Sequence, residues 1–522
     1  MTPVRRFRLP SFLSLPLVLV LWACPGGATN PPGPPADLSI NPAGKTFTAG
    51  DAPVIFTATG SQSSPALTWT LDPPTAGTLS ATTGLSVQFT PPATVAAAVT
   101  AKLTAATTGG AVKATANLTI NPVPSVYAEP VAGSDANDGS QAKPFKTLKQ
   151  ALSVVKANGT IILMAGTYDG ASGETWNYKV PDKVTIKANS SGVIFATTTA
   201  NTEGLTFLGD GALRFATMNG FSQALTATKG AQTLVGVTIH GTVGNQRGLA
   251  WNGAAAATLT DCVFNTTGVA MWLTATASVN MTGGSLADPS DNVIAQNQSQ
   301  LSLKTVDVSG GIMDLNQSSY ASLDHVTMHD VGSYAIYVRS GTPFLSINGG
   351  SFVNSSHQAN VVDNEGGSVV IDGASFNNDG TVVGGTGGNV VIRNTSITGA
   401  PSYGLYIGSG MSFKMRNTYV AGNAYGITIS DASGGVDLGT ASDPGGNTIL
   451  DNRNYSNSSG YNLGGSWGST NIVQAVGNTW NANLQGSDGA GHYGSQLLVC
   501  PGSYVTLTLY NSECSAGAQV QY

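Results

Sequence analysis

Charged residues are scarce. Asp, Glu, Lys and Arg make up 10% of the 522 residues, against about 25% in an ordinary globular chain. The shortage excludes a highly charged disordered chain. No basic stripe is present and the net charge is −6, so a nucleic-acid partner is not expected. Cysteine occurs only as Cys24, Cys262, Cys500 and Cys514, too few for a scaffold built on disulfides. After the N-terminal segment no stretch reaches the roughly 18 uncharged apolar residues of a membrane-spanning helix. Helical periodicity is almost missing too. Glycine, in contrast, supplies 66 residues, nearly double its usual ~7% share, without the every-third-residue period of collagen. With abundant Ser, Thr, Asn and Val, this composition fits many short strands joined by tight turns. The length predicts two or three domains.

Arg5, Arg6 and Arg8 precede an apolar run from Phe12 to Ala23. It is too short to cross a ~30 Å hydrocarbon core and has the form of an export signal. The run closes on Leu21-Trp22-Ala23-Cys24, which resembles a bacterial lipoprotein box. The resemblance implies a signal over residues 1–23, cleavage before Cys24 and lipidation of that cysteine. The alternative is ordinary cleavage near Ala28 with Cys24 discarded. Removing residues 1–23 takes three of the 22 basic residues and none of the 28 acidic ones, which leaves a net charge of −9. Residues 24–36 are too rich in Pro and Gly for helix or ladder and form an extended tether. Residues 37–122 alternate like a small β-sandwich. They are similar to bacterial Ig-like repeats, with Trp69 as the buried core tryptophan. No catalytic constellation occurs there, and a spacer is expected.

From Leu213 onward the sequence repeats. Apolar anchors stand at Leu213, Leu234, Leu259, Met281, Leu303, Leu323, Ile347, Ile371, Ile392 and Met415, at spacings of 20 to 25 residues. Five residues after each anchor the chain is apolar again, and three after it is compact, Cys262 among these. Two after, Gly, Asn, Asp or His fill eight of ten places, the residues that tolerate left-handed backbone. Each unit therefore reads strand, one-residue corner, strand, and a third strand follows. Three short strands per unit with no helical segment predict a β-helix, with about a dozen coils stacked at ~4.8 Å.

Residues 133–140 read GSDANDGS, followed by Pro144-Phe145-Lys146-Thr147-Leu148 and, later, Gly166-Thr167-Tyr168. Leu148, Ala151, Leu152 and Val155 recur at helical spacing, with Thr147 as N-cap and Asn158-Gly159 as the stop. Such a helix would cover the open end of the solenoid, where a sheet edge is otherwise exposed. In these motifs the chain resembles an uncharacterised family of exported, pectin-lyase-like right-handed parallel β-helix proteins. Residues 436–447 and 475–480 are similar as well, so the resemblance covers about 126–495. It implies an all-β chain, a right-handed β-helix preceded by an Ig-like sandwich. Some polysaccharide lyases share the opening motif, and many members have no known reaction.

No cofactor is required by these motifs. Asp135, Asn137 and Asp138 offer oxygens that suit calcium, though an Asx-type turn would use the same atoms. A lyase of this fold needs a Lys or Arg base near clustered Asp, for which Arg339, Arg393, Lys414 and Arg416 are the candidates. Asp261, Asp307, Asp324 and Asp372 fall in different coils at offsets expected to be non-equivalent. The Asp-Asp pair and the Gly-His-Gly and Arg-Ile-Lys motifs of galacturonases are absent. His325 and His329, beside Asp324 and Asp330, read as turn residues rather than metal ligands. Tyr337, Arg339, Asp363, Glu365 and Tyr406, with Trp272 on a comparable strand, would line a shallow glycan-binding groove if they face outward.

The expected protein is an exported, lipid-anchored monomer of the cell envelope or surface. It binds a polysaccharide or another envelope component without catalysis, touching the membrane only through its lipid. The alternative function is a polysaccharide lyase or glycoside hydrolase. In an oxidising compartment Cys500 and Cys514 should pair and close a C-terminal hairpin over 496–522. Cys24→Ser should release the protein from membranes and remove a lipid-sized mass, as read by fractionation and mass spectrometry; unchanged fractionation would refute the anchor.

Overall fold

In the computed structural model the described residues are 37–480 except 61–66, 93–94, 96, 242–246, 332–333, 354–359, 430–434, 453–461 and 466–471, together with 485–487, 493–495 and 519–521. Cys24, Cys500 and Cys514, and with them the expected lipid site and disulfide, lie outside the described residues. No described helix is long and apolar enough to cross a membrane. The chain divides into two compact units between Asn121 and Pro122.

The first unit has two four-stranded sheets. One orders Ser39–Asn41, Val54–Thr59, Ser86–Thr90 and Thr78–Leu79; the other orders Gly44–Thr48, Lys113–Asn121, Val99–Ala106 and Thr68–Asp72. Strict alternation along Val99–Ala106 turns Ala101, Leu103 and Ala105 inward, as the two-residue period of a strand requires. Phe89 packs on Phe47 and Phe56 at ring distances of 5.1 and 6.5 Å. Trp69 is buried, and its indole N–H donates to the Gly84 carbonyl at 2.9 Å, so its one polar atom is satisfied.

The second unit is a parallel β-helix of about eleven turns. Each strand bonds in parallel to the equivalent strand of the next coil, generally one to three elements later. The anchors form one inward column, Ile161–Ile186–Leu213–Leu234–Leu259–Met281–Leu303–Leu323–Ile347–Ile371–Ile392–Met415. All of these side chains are buried. A second column, which includes Phe264, Phe352 and Phe376, rises beside it, with Phe352 and Phe376 stacked at 4.6 Å.

Between the two columns sits the corner residue. In all ten units it has positive φ, from 49° at Thr305 and Asn417 to 70° at Gly373. Left-handed backbone costs a non-glycine residue about 1 kcal/mol or more, yet the conformation keeps the hydrogen-bond ladder unbroken through the bend. The corner N–H of His325 donates to Asn348, that of Gly349 to Asp372 and that of Asn394 to Arg416, each one coil on, at 2.7 to 3.1 Å. Phe215 and Thr305 hold the same geometry without a residue type that favours it.

Buried asparagines serve the later turns in the same manner. Asn423 donates to Asn452 at 2.8 Å and Asn452 to Asn462 at 2.9 Å, while Asn447 donates to Asn478 at 2.8 Å. Their remaining atoms take up main-chain groups such as Ala400 N–H and the Leu438 carbonyl. Cys262 is fully buried, and burial pushes its thiol up to about 11.

The helix Leu148–Val154 lies at the start of the solenoid with Leu148 and Ala151 buried in its core. Thr147 is the N-cap and accepts from Gln150 N–H at 3.1 Å. The helix stops at Val154, earlier than the Asn158-Gly159 stop expected from sequence. Asp135 accepts from Lys146 N–H, Thr147 N–H and the Thr147 hydroxyl, each at 2.9 Å. Glu174 accepts from Leu148 N–H at 2.6 Å and from the Tyr178 hydroxyl at 2.6 Å. These carboxylates satisfy orphan donors of the first turn.

At Asp135, Asn137 and Asp138, where calcium was expected, the side chains make turn and cap bonds. The Asn137 amide donates to the Pro144 carbonyl at 2.9 Å, and Asp138 accepts from Ser140 N–H at 2.9 Å. Among the described residues no group of three or more His, Cys, Asp or Glu could hold a metal. Asp135→Ala should destabilise the solenoid by about 1–3 kcal/mol through the lost cap bonds. A lower urea midpoint would report the loss, and added calcium should leave the wild-type midpoint unchanged.

Candidate functional site

The third sheet of the solenoid carries an outward column set by register alone. Trp272 pairs with Ile294, Ile294 with Asp314, Asp314 with Tyr337, Tyr337 with Asp363 and Asp363 with Gly384. Val383 pairs with Leu405, which puts Tyr406 on the rung after Gly384, and Tyr406 pairs with Thr428. The flanking residues Met271, Leu273, Met313, Leu315, Ile336 and Val338 are buried, so the column faces out by the two-residue period. Successive side chains stand ~4.8 Å apart. The structure thus brings Trp272, Tyr337, Asp363 and Tyr406 onto one line, with Arg339 and Glu365 two residues along their strands.

Local chemistry fixes the acidic middle. Asn364, buried between Asp363 and Glu365, accepts from Gly367 N–H at 2.9 Å and donates to the Gly367 carbonyl at 3.1 Å. That bend coincides with a register shift after Asn364, leaving Glu365 exposed. The Tyr337 hydroxyl donates to Glu365. Burial, and then the Glu365 carboxylate, push that hydroxyl up to about 12. Asp363 is 9% exposed and accepts from Asn360 at 3.0 Å. Its pKa is raised, first by burial and further by Glu365, against the Asn360 bond. Asp291, near the start of the column, is raised by burial and by repulsion from Asp314 and Asp288.

Arg339 is not free. Its Nε donates to Asp314 at 2.7 and 3.0 Å and its Nη2 at 2.8 Å, and its guanidinium lies 4.4 Å from the Tyr337 ring centre. Aromatic rings flank this pair. Tyr334 stacks on Tyr337 at 5.5 Å, and Tyr403 meets Tyr406 at 5.5 Å and Tyr425 at 5.1 Å. A cavity of about 390 Å³ opens at the corner following Trp272, Ile294 and Asp314, lined by Ala275, Thr276, Asn297, Gln298, Gln317 and Ser318.

Sequence reasoning missed Asp314, Asp291, Tyr334 and Tyr403. The available signal was register: Asp314 precedes Tyr337 by one coil. The other lyase candidates lie elsewhere and are spoken for. Arg393 pairs with Asp372 at 2.7 Å, Lys414 with Asp443 at 2.8 Å, and Arg416 with Asp437 and Asp443 at 2.8 Å. Asp324 and Asp372 are not at non-equivalent offsets: both stand in the column Lys304–Asp324–Asn348–Asp372–Arg393. His325 occupies a corner and contacts Asp324 at 2.7 Å. His329 contacts Asp330 at 2.7 Å, a bond that raises its pKa.

A family model described as a protein of unknown function, DUF1565, matches residues 131–321. No curated protein matches the chain. Among solved structures, the chain is similar to the catalytic unit of a thermostable GH87 alpha-1,3-glucanase from Streptomyces thermodiastaticus, at 15% identity and a TM-score of 0.35, covering 68% of this chain and 75% of that one. It is similar to a rhamnogalacturonan lyase at 11% identity and a TM-score of 0.25, covering 56% and 81%. It is also similar to a GH136 lacto-N-biosidase from Eubacterium ramulus at 9% identity and a TM-score of 0.25, covering 68% of each.

The raised pKa of Asp363 has a consequence for stability. A carboxyl whose folded pKa is raised favours the fold while protonated. That contribution is lost as pH climbs from the ordinary Asp range near ~3.9 through the folded value. Asp363→Asn should therefore raise the urea midpoint at pH 7 relative to the parent. The gain should vanish below pH ~3.9, which paired unfolding curves at the two pH values would test.

Proposed function

We propose that the protein is an exported envelope component, displayed through a lipid at Cys24, whose solenoid binds a polysaccharide along the outer column of its third sheet. The observation that carries this reading is the column itself: Trp272, Tyr337 and Tyr406 on one line with Asp363, beside Tyr334, Tyr403 and Glu365. Aromatic faces offer apolar platforms to the apolar faces of sugar rings. Carboxylates accept strong hydrogen bonds from sugar hydroxyls. A linear glycan running along the solenoid axis would meet a new side chain at each coil.

A second reading, hydrolysis, is favoured by one specific observation. Asp363, with a raised pKa, neighbours Glu365, held by Tyr337, and a carboxyl whose pKa is raised by burial suits a general acid. The lyase reading gains nothing comparable, because Arg339, Arg393, Lys414 and Arg416 are each bound to aspartate, and a cation so held gives up its proton less readily and is a poor base.

The test is binding of the full chain to a polysaccharide panel, with reducing-end and ultraviolet product assays in parallel. The double variant Asp363→Ala, Glu365→Ala should weaken binding at least tenfold, about 1.4 kcal/mol, without loss of the fold. Product formation abolished by the same variant would favour hydrolysis. A bound oligosaccharide located far from this column would overturn the proposal.

A further inference from the structure

Arg247 stands three residues before Ala250, the rung preceding Trp272. Its guanidinium reaches across to the next coil and lies 3.0 Å from the Trp272 ring centre. Of the described solenoid arginines, Arg339, Arg393 and Arg416 each hold an aspartate at 2.7 to 2.8 Å, whereas among the described residues Arg214 and Arg247 hold none. Its pKa is lowered by burial, and no neighbouring charge acts against that. A partly desolvated cation without an anion is costly. Stacking on tryptophan offsets part of the cost and also fixes the plane of the guanidinium fork. The N–H edge of that fork is suited to a carboxylate.

We propose that Arg247, seated on Trp272, is the anion-recognising end of the glycan face and takes the carboxylate of a uronic acid. The inference rests on the glycan-binding reading above and adds the chemical class and polarity of the ligand. The rest of the column sets a limit on that class. Asp314 and Asp363 follow Trp272 in its column, with Glu365 two residues beyond Asp363; Asp291 stands two coils on in the column of Arg247 and Val269, and the chain as a whole is acidic at −6. A polymer with an acid on every sugar would be repelled there. The ligand that fits is a mostly neutral chain with an isolated uronic acid. From Trp272 through Ile294, Asp314 and Tyr337 to Asp363 is four coil steps, about 19 Å at the strand spacing. The acidic sugar should thus lie several residues away from the sugar at Asp363 and Glu365.

The experiment uses the full chain against a panel of hexasaccharides in matched sets: neutral, the same backbone with one uronic acid, and the same backbone with one sulfate ester. Affinities are measured by calorimetry at low and high salt. The parent protein should bind the uronate member of a bound set about tenfold tighter than its neutral counterpart, with the preference shrinking in salt. Arg247→Gln should abolish the preference for the uronate member over its neutral counterpart; Arg247→Lys should keep part of it. Equal binding of neutral and uronate members overturns this inference and leaves glycan binding standing. A uronate preference that survives Arg247→Gln, or a stronger preference for the sulfate ester, also overturns it. Binding of no set overturns both this inference and the function it rests on.

Discussion

The backbone ladder between successive coils is the constraint from which the rest of the solenoid follows. Every strand must present its N–H and C=O groups in register to the coil above and the coil below, at one fixed spacing. Strands can do this only if the bends between them keep the same register. A single left-handed residue achieves that, and its own N–H joins the ladder, as at His325, Gly349 and Asn394. The cost of left-handed backbone at Phe215 or Thr305 is accepted because breaking the ladder would strand buried polar groups. Where turns are less regular, buried Asn423, Asn447 and Asn452 supply amides that do the same job from the side chain.

Register also explains why the outside of the solenoid is chemically organised. Residues far apart in sequence, such as Asp314, Tyr337 and Asp363, become neighbours on adjacent rungs. With so few charges in the chain, each outward charge has a definable task. Asp324, Asp372, Lys304 and Arg393 neutralise one another along one column. Asp314 holds Arg339 against the Tyr337 ring. Asp363, Asp291 and Arg247 remain charges in partly buried positions without a full counter-charge. Such residues weaken a fold unless something offsets their burial.

The start of the solenoid applies the same accounting. The first coil has a neighbour on one side only, and the helix Leu148–Val154 buries Leu148 and Ala151 against it. Asp135 and Glu174 then receive the helix's own orphan N–H groups. The Asp-Gly-rich opening segment thus holds the capping helix in place.

Much of this was legible in the amino-acid order. The anchors from Leu213 to Met415, the corner two residues later, the buried Cys262, the helix with Thr147 at its start and the buried Trp69 all follow from local periodicity and residue type. Each depends on what a residue does within its own strand or turn. The candidate site does not. Coils of 20 to 25 residues place extra length in different loops, so counting along the chain does not tell which outward residue of one coil meets which of the next. The Arg339–Asp314 pair and the stacking of Arg247 on Trp272 escaped for that reason, whereas Asp324 and Asp372, each one residue after an anchor, were already equivalent in the amino-acid order. Side-chain direction along a strand is a local property with a period of two. Adjacency across coils is a property of the closed hydrogen-bond ladder, and only the folded solenoid decides it.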